Sequence, residues 1–212
     1  MSQMAVIDFE TTGSTPAQGA RATEIGVVLL EDGRVVDRYQ SLMNAGVPVP
    51  PFIERLTGIS NAMLAAAPSS EQVMREAARF VGERPMVAHN ASFDRQFWQA
   101  ELARLGVMAH QPFVCTVLLS RRLLPQAPNH RLGTLSQWLD LPNEGRAHRA
   151  LADALTAAHL LRHLQQTLAA QLDGRAVDHG LLGQVQRLSP AQLPSFVQRL
   201  RQGPVLGAGA LG

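Results

Sequence analysis

The sequence predicts an α/β protein in which helices cover a mixed β-sheet. Three strand-like segments follow one another near the N-terminus, and strand-like segments alternate with helix-like ones after them. That order is typical of a sheet with helices packed on its faces. With 212 residues, 46% of them hydrophobic and 17% charged, the chain is long enough to bury one sizeable core.

About five strands are predicted from short apolar runs bounded by turn residues. The first is "MAVIDF", and the next two are "TEIGVVLL" and "RVVDRYQSLMN", which "EDGR" connects. An Asp-Gly pair between two such runs indicates a tight hairpin turn. A fourth strand is expected at "PMVAH" and a fifth at "PFVCTV".

The helices are predicted from apolar residues at helical spacing and from capping residues. "SSEQVMREAARFVGE" begins with serines that can cap a helix, and "ASFDRQFWQAELARLG" ends at a glycine that can close one. Short helical pieces are expected in "PFIERLTGISNAML". Further helices are expected at residues 116–123, 131–139 and about 149–168.

The character of the chain changes near residue 168. Residues 1–168 hold the predicted α/β domain, and residues 169–212 offer two short amphipathic helices and a Gly-rich tail that we expect to be mobile. The extension either packs back on the domain or docks a partner such as a polymerase.

Composition excludes several classes of protein. No apolar run approaches the roughly 18 residues that span a bilayer, and the N-terminus lacks the basic and apolar regions of a signal peptide. The single cysteine excludes an internal disulfide and argues against a cysteine-based metal site. We therefore expect a cytoplasmic protein with no membrane partner.

Two acids interrupt the first predicted strand. Alternate residues of a strand face the same side, so Asp8 and Glu10 point together. Burying carboxylates is costly, and two on one face repel each other unless a cation or a proton lies between them. Thr11, Thr12 and Gly13 follow, and they offer small side chains and free backbone N–H groups where a ligand can approach.

Two further acids lie on helix faces that are expected to pack inward. Asp94 precedes Phe97 and Trp98 by three and four positions, although an acid there can also serve only the helix dipole. Asp153 lies on the apolar stripe of "ALADALTAAHLLRHL". His148 lies five residues earlier, about 140° away on a helix, so we expect it on the preceding loop, leaning over the site.

Four inward-facing carboxylates in one domain have a shared explanation, which is that they hold divalent cations. Such hard ions prefer oxygen ligands. Four carboxylates with a nearby histidine suit two-metal phosphoester hydrolysis, in which ions roughly 3.5–4 Å apart hold the attacking and leaving oxygens and the imidazole deprotonates water.

At these residues the sequence resembles the DEDDh exonucleases, the family of the proofreading subunit of bacterial DNA polymerase III. The resemblance is carried by "DFETTG", "HNASFD" and "HRALADA", in the family's order, over roughly residues 4–165. It implies a ribonuclease H-like fold and stepwise 3′→5′ removal of nucleoside 5′-monophosphates. It also implies that four acids hold two Mg²⁺ or Mn²⁺ ions, with His148 as general base. The four acids are Asp8, Glu10, Asp94 and Asp153.

The resemblance further implies a set of residues that bind the terminal nucleotide at the end of the first strand, in "ERLTGIS" and around the second motif. They are Thr11, Thr12, Gly13, Leu56, Thr57, His89 and Phe93.

Three functions remain open at this point. The first is a 3′→5′ exonuclease acting on single-stranded or frayed DNA ends in proofreading or repair, and the second is an exoribonuclease of the same superfamily. Discrimination between them depends on how the pocket treats a 2′-hydroxyl. The third is a catalytically silent module that binds nucleic acid or a partner, and the intact acids argue against it. If the acids bind metal, added Mg²⁺ or Mn²⁺ should raise the melting temperature.

Aromatic and basic residues outside the motifs receive structural interpretations. Trp98 and Trp138 can stack on bases, but their helical spacing relative to Phe97, Leu135 and Leu139 favours the core. All 19 basic residues are arginines, which suit phosphate recognition. Genome composition also explains an all-arginine chain, and it is the explanation we favour.

Overall fold

The computed structural model describes residues 3–142 and 145–202, and within them five strands form one mixed sheet. The strand order is β3-β2-β1-β4-β5. β2 pairs antiparallel with both β1 and β3, whereas β4 and β5 run parallel to β1. The mixed sheet expected from the sequence is therefore confirmed. The strands are β1 (Gln3–Thr11), β2 (Ala22–Glu31), β3 (Arg34–Leu42), β4 (Met86–Ala88) and β5 (Phe113–Cys115).

Helices follow at the expected places along the described chain. The third begins as predicted, because the Ser69 hydroxyl accepts a hydrogen bond from the Gln72 N–H at 3.2 Å. None of the helices in this part of the chain combines the length and apolarity needed to cross a bilayer. The helices are α1 (Pro51–Thr57), α2 (Asn61–Ala65), α3 (Ser70–Val81), α4 (Ala91–Ala103), α5 (Thr116–Leu123), α6 (Leu132–Trp138), α7 (Ala150–Gln171), α8 (His179–Val185) and α9 (Leu193–Gln202).

The apolar core lies on both faces of the sheet. Val6 of β1 packs with residues of α5 and α7 on one face, and Ile7 packs with residues of α3 and α4 on the other. This division follows from the alternation of side chains along a strand. Even-numbered residues of β1 therefore face α7, which places Asp8 and Glu10 on the side of that helix.

The two tryptophans differ. Trp98 of α4 is fully buried, as predicted, but Trp138 at the end of α6 is 40% exposed. The core prediction for Trp138 is wrong because α6 is only seven residues long and buries Leu135 alone. Helical spacing grouped Trp138 with Leu135 and Leu139, but of these three only Leu135 is fully buried, and Leu139 is partly buried against the core.

The C-terminal extension packs back on the domain over residues 169–202. Leu182, Val185, Leu193 and Val197 join the core cluster on the α7 face. α7 itself continues to Gln171, past the boundary expected at residue 168. The Gly-rich end, residues 203–212, lies outside the described residues, and docking of a partner on the extension stays a prediction.

One side chain of the extension covers the edge of the sheet. The Gln186 Oε1 atom accepts a hydrogen bond from the Cys115 N–H at 2.8 Å, and the Gln186 Nε2 atom donates to the Phe113 carbonyl at 3.1 Å. The amide thus takes the place of a neighbouring strand beside β5.

Candidate active site

The first two acids of the site lie at the C-terminal end of β1. Asp8 is paired in register with Gly26 of β2, and Glu10 with Glu24. The register shifts immediately after Glu10, so the regular ladder ends where the site begins.

Gly26 allows α7 to approach the sheet at this point. A Cβ atom there would come within 2.4 Å of the backbone of Ala150 and Leu151, a distance that no side chain tolerates. The start of α7 can therefore rest directly on β2. Asp153 lies in the first turn of α7. The close approach of α7 to β2 therefore places Asp153 near Asp8 and Glu10.

Asp94 lies on α4, which packs on the face of the sheet opposite to α7. Asn90 adopts a left-handed conformation with φ of 69°, and α4 starts after it. The Asp94 side chain is buried, and its Oδ1 atom accepts a hydrogen bond from the Phe9 N–H at 3.1 Å. Asp94 is thus held at the β1 backbone between Asp8 and Glu10, which confirms its inward orientation.

His148 lies on the loop that precedes α7, as the sequence predicts. Its backbone is left-handed, with φ of 61°, and its N–H donates to Asp153 Oδ2 at 3.0 Å. The potential ligand atoms of Glu10, His148 and Asp153 lie within 4.8 Å of one another. The imidazole is exposed, so water and substrate can reach it.

The electrostatics of the four acids reflect burial first and, for Asp8 and Glu10, repulsion from neighbouring acids. Burial, followed by repulsion from Asp94, Asp153 and Glu10, raises the pKa of Asp8 well above its ordinary value. Burial, then the other acids, raises the pKa of Glu10 to about 8. Burial raises the pKa of Asp94 to about 8 and also raises that of Asp153. Four converging hard oxygen donors of this kind fit divalent cations.

The backbone after Glu10 differs from the expectation of free N–H groups. The Thr12 N–H donates to the Arg21 carbonyl at 2.9 Å, so this donor is occupied by the adjoining loop. The Thr11 hydroxyl donates to the Gly13 carbonyl at 2.7 Å. Both threonines are buried, and their contacts shape the end of the strand.

The two candidate pocket residues of α1 have different environments. Leu56 is 47% exposed, and Phe52 one turn earlier is 59% exposed, so α1 presents an apolar pair to solvent. Thr57 is buried, and its hydroxyl donates to the Ile53 carbonyl at 3.0 Å. Phe52 was missed from the sequence, although its position four residues before Leu56 could have indicated it.

His89 and Phe93 are held by neighbours in the fold. The His89 Nε2 atom donates to the His130 carbonyl at 3.0 Å, which leaves Nδ1 to accept from the Thr116 hydroxyl at 2.9 Å. Burial lowers the pKa of His89 to about 4, so this ring is neutral near pH 7. The Phe93 ring packs against Phe97, with centroids 4.9 Å apart.

A cleft of about 820 Å³ opens beside Asp153. It is lined by α6, by the loop of residues 145–149 that precedes α7 (the His148 loop) and by the start of α7. His148 and Asp153 form part of its wall, and Arg131 lies on the α6 side. The cleft therefore adjoins the candidate active site at His148 and Asp153.

Two buried glutamates were missed from the sequence. Glu24 of β2 pairs with Arg149, and Glu101 of α4 pairs with Arg21. The signal that could have found Glu24 is the one that singled out Asp8, a charged residue inside an apolar strand.

Comparison with known proteins gives consistent matches. The RNase T model of the exonuclease family matches residues 5–161. A PolC-type DNA polymerase III of Halalkalibacterium halodurans is 37% identical over 161 residues, 76% of this chain and 11% of that protein. The 3′-5′ exonuclease DinG of Bacillus subtilis is 34% identical over 185 residues, 87% of this chain and 19% of that protein. This chain thus spans between a tenth and a fifth of the length of these two relatives.

Solved structures show the same fold. Exonuclease X in complex with 5′ overhanging duplex DNA has a TM-score of 0.67 and 27% identity, over 86% of this chain and 99% of that chain. The nuclease domain of 3′hExo, a DEDDh family member bound to rAMP, has a TM-score of 0.64 and 20% identity, over 78% of this chain and 92% of that chain. The expected ribonuclease H-like fold is confirmed.

Proposed function

The chain belongs to the exonuclease family, in its DEDDh type, and on that premise we propose that it removes nucleoside 5′-monophosphates stepwise from the 3′ end of DNA. The observation that supports this most directly is the convergence of four acids with His148 at the end of β1, where Asp94 is buried and the other three acids are partly buried. A protein that only binds nucleic acid would gain nothing from four acids placed together where a polyanion must approach.

Asp8, Glu10, Asp94 and Asp153 would hold two divalent ions, Mg²⁺ or Mn²⁺. When bound, such ions neutralise the acids and polarise the phosphoryl oxygens. The raised pKa values of the acids support this role, because the site favours a positive partner, either a proton or a metal ion.

His148 would take the proton from the attacking water. Its ring is exposed while its backbone N–H is tied to Asp153, so the imidazole can reach a water beside the acids without losing its place. A base placed in this way contributes roughly 10²–10⁴-fold to the rate.

The choice of DNA over RNA is supported by the named relatives. One is a PolC-type DNA polymerase III, and the structure of exonuclease X holds duplex DNA. The test uses two 5′-labelled single strands of one sequence, DNA and RNA, incubated with Mg²⁺ or Mn²⁺ and analysed on a sequencing gel, with EDTA as control.

We expect a metal-dependent ladder that shortens from the 3′ end, with the DNA degraded faster. Faster loss of the RNA would assign the chain to the exoribonucleases. Failure to shorten either strand would contradict the proposal and return the silent binding module as the better explanation.

A further inference from the structure

Glu24 is a fifth acid near the site, and its environment differs from that of the other four. It is fully buried in β2, opposite Glu10 in the strand register. Its carboxylate receives hydrogen bonds from Arg149 Nη2 at 2.6 Å and Arg149 Nε at 3.0 Å. It also receives the Ala150 N–H at 3.0 Å and the Gln40 side chain at 2.7 Å.

These donors use the lone pairs of both carboxylate oxygens. A carboxylate offers about four acceptor sites, and here the guanidinium, the backbone amide and the side-chain amide fill them. Glu24 is therefore not arranged to receive a metal ion, and its function must be sought in what it holds.

The groups that it holds are the two residues directly after His148. The Ala150 N–H lies at the start of α7, where a backbone N–H has no acceptor within the helix. It donates instead to Glu24 on β2. The fork of Arg149 adds two parallel bonds with fixed geometry. The His148 loop is thus tied to β2 on one side and, through the His148 N–H, to Asp153 on the other.

We propose that Glu24, acting through Arg149 and the Ala150 N–H, is a positioning residue that fixes the His148 loop over the acids. This inference rests on the proposed function, in which His148 is the general base. The left-handed backbone at His148 costs energy in a residue with a Cβ atom, so the loop needs firm anchors on both sides to keep it.

The molecule provides a matched control in Glu101 and Arg21. Glu101 is also buried, it receives Arg21 Nε and Nη2 at 2.8 Å each, and it accepts the Ala22 N–H at 3.2 Å. The chemistry is the same, but this pair holds the start of β2 to α4, and within the described part of the chain none of its hydrogen bonds reaches the His148 loop.

The test is a double-mutant cycle between Glu24→Gln and His148→Ala, read as kcat and KM on a single-stranded DNA oligomer. We expect Glu24→Gln to lower kcat by about 10- to 100-fold, because small misplacements of a catalytic group have effects of this size, with KM changed less than about threefold. In the His148→Ala background the same substitution should lower kcat less than about threefold, since the group it positions is gone. Losses that multiply would overturn the inference.

A second readout does not depend on activity. Hydrogen exchange of residues 145–152 in metal-free protein should be faster in Glu24→Gln than in wild type and unchanged in Glu101→Gln. Equal exchange in wild type and Glu24→Gln would overturn the inference. Should Glu24→Gln not fold, Arg149→Met serves in both experiments, with Arg149→Lys expected to recover part of the kcat because it keeps the charge without the fork.

Failure of this inference is distinguishable from failure of the proposed function. A wild-type protein that degrades neither DNA nor RNA contradicts the function, while the exchange experiment still tests the anchoring of the loop. A wild-type protein that degrades DNA, with multiplying losses in the cycle, contradicts only the inference.

Discussion

Two groups of acids in this molecule, each buried or partly buried, have opposite surroundings. Glu24 and Glu101 each face an arginine fork and a backbone N–H. The four acids of the candidate active site instead face one another. Burial raises their pKa values, and repulsion from neighbouring acids raises those of Asp8 and Glu10 further. The chain thus pairs Glu24 and Glu101 with its own arginines, whereas no arginine ion pair is found for the four acids of the candidate active site among the described residues.

The difference has an energetic side. A buried acid with a complete set of donors is tolerated, whereas repelling acids destabilise the folded chain until a positive partner arrives. The first group should therefore affect stability whether or not metal is present, and the second should affect stability according to metal and pH.

The largest expected effect tests the second group directly. Asp8→Asn should lower the rate of DNA degradation by about 10³-fold or more, because a neutral amide is a poor metal ligand and the stabilisation lost amounts to several kcal/mol. It should also abolish most of the increase in melting temperature caused by Mn²⁺. Thermal melts and the oligomer assay check both, and an unchanged response to Mn²⁺ would contradict the assignment of Asp8.

The next effect tests the first group. Glu101→Ala leaves the largely buried Arg21 guanidinium, 15% exposed, without its partner. The free energy of unfolding should fall by about 3 kcal/mol, which lowers the melting temperature by roughly 6–12 °C in a chain of this size. The loss should be similar with EDTA and with Mn²⁺. A loss that appears only in metal-free protein would remove the distinction between the two groups.

A third effect concerns pH in the metal-free protein. Glu10 and Asp94 have ordinary pKa values of 4.5 and 3.8, and folding raises both to about 8. The folded state binds these protons more tightly, so stability is present at low pH and is lost as the pH rises towards 8.

Melting temperatures in EDTA should consequently be lower at pH 8.5 than at pH 6.5, by about 4 °C or more. Folding lowers the pKa of His89 from 6.5 to about 4, so this residue makes stability rise with pH only between those two values, which is below the window. Mn²⁺ should reduce the difference. A melting temperature that does not change between pH 6.5 and 8.5 in EDTA would contradict the raised pKa values of Glu10 and Asp94.

The smallest effect belongs to an acid on the surface. Asp173 pairs with Arg201 at 2.8 Å, but both side chains are more than half exposed. Asp173→Asn should change the free energy of unfolding by less than about 1 kcal/mol and leave the response to Mn²⁺ as in wild type. It is therefore the control for Asp8→Asn. A large change in either quantity would show that the assays respond to the loss of any negative charge and not to loss of the site.

The sequence predicted the acids that interrupt local patterns. Asp8 and Glu10 stand out in an apolar strand, and Asp153 stands out on the apolar stripe of a helix. The loop position of His148 followed from its spacing to Asp153. In each case the information lies within a few residues, where periodicity is strongest.

What escaped prediction depends on contacts between distant residues. Glu24 pairs with Arg149, which lies 125 positions later in the sequence. This ion pair depends on the close approach that Gly26 allows between β2 and α7. The occupied N–H of Thr12 likewise depends on the return of the chain at Arg21. No local pattern encodes which strand a helix will rest on.

The Gln186 amide at the edge of β5 has a consequence for the solubility of shortened forms of the protein. An uncovered strand edge can pair with another chain and start aggregation. A chain ending at residue 168 would lose Gln186 together with the apolar side chains of α8 and α9 that complete the core. We therefore expect the helical extension to limit self-association, and shortened proteins that keep residues 169–202 should stay soluble where shorter ones precipitate.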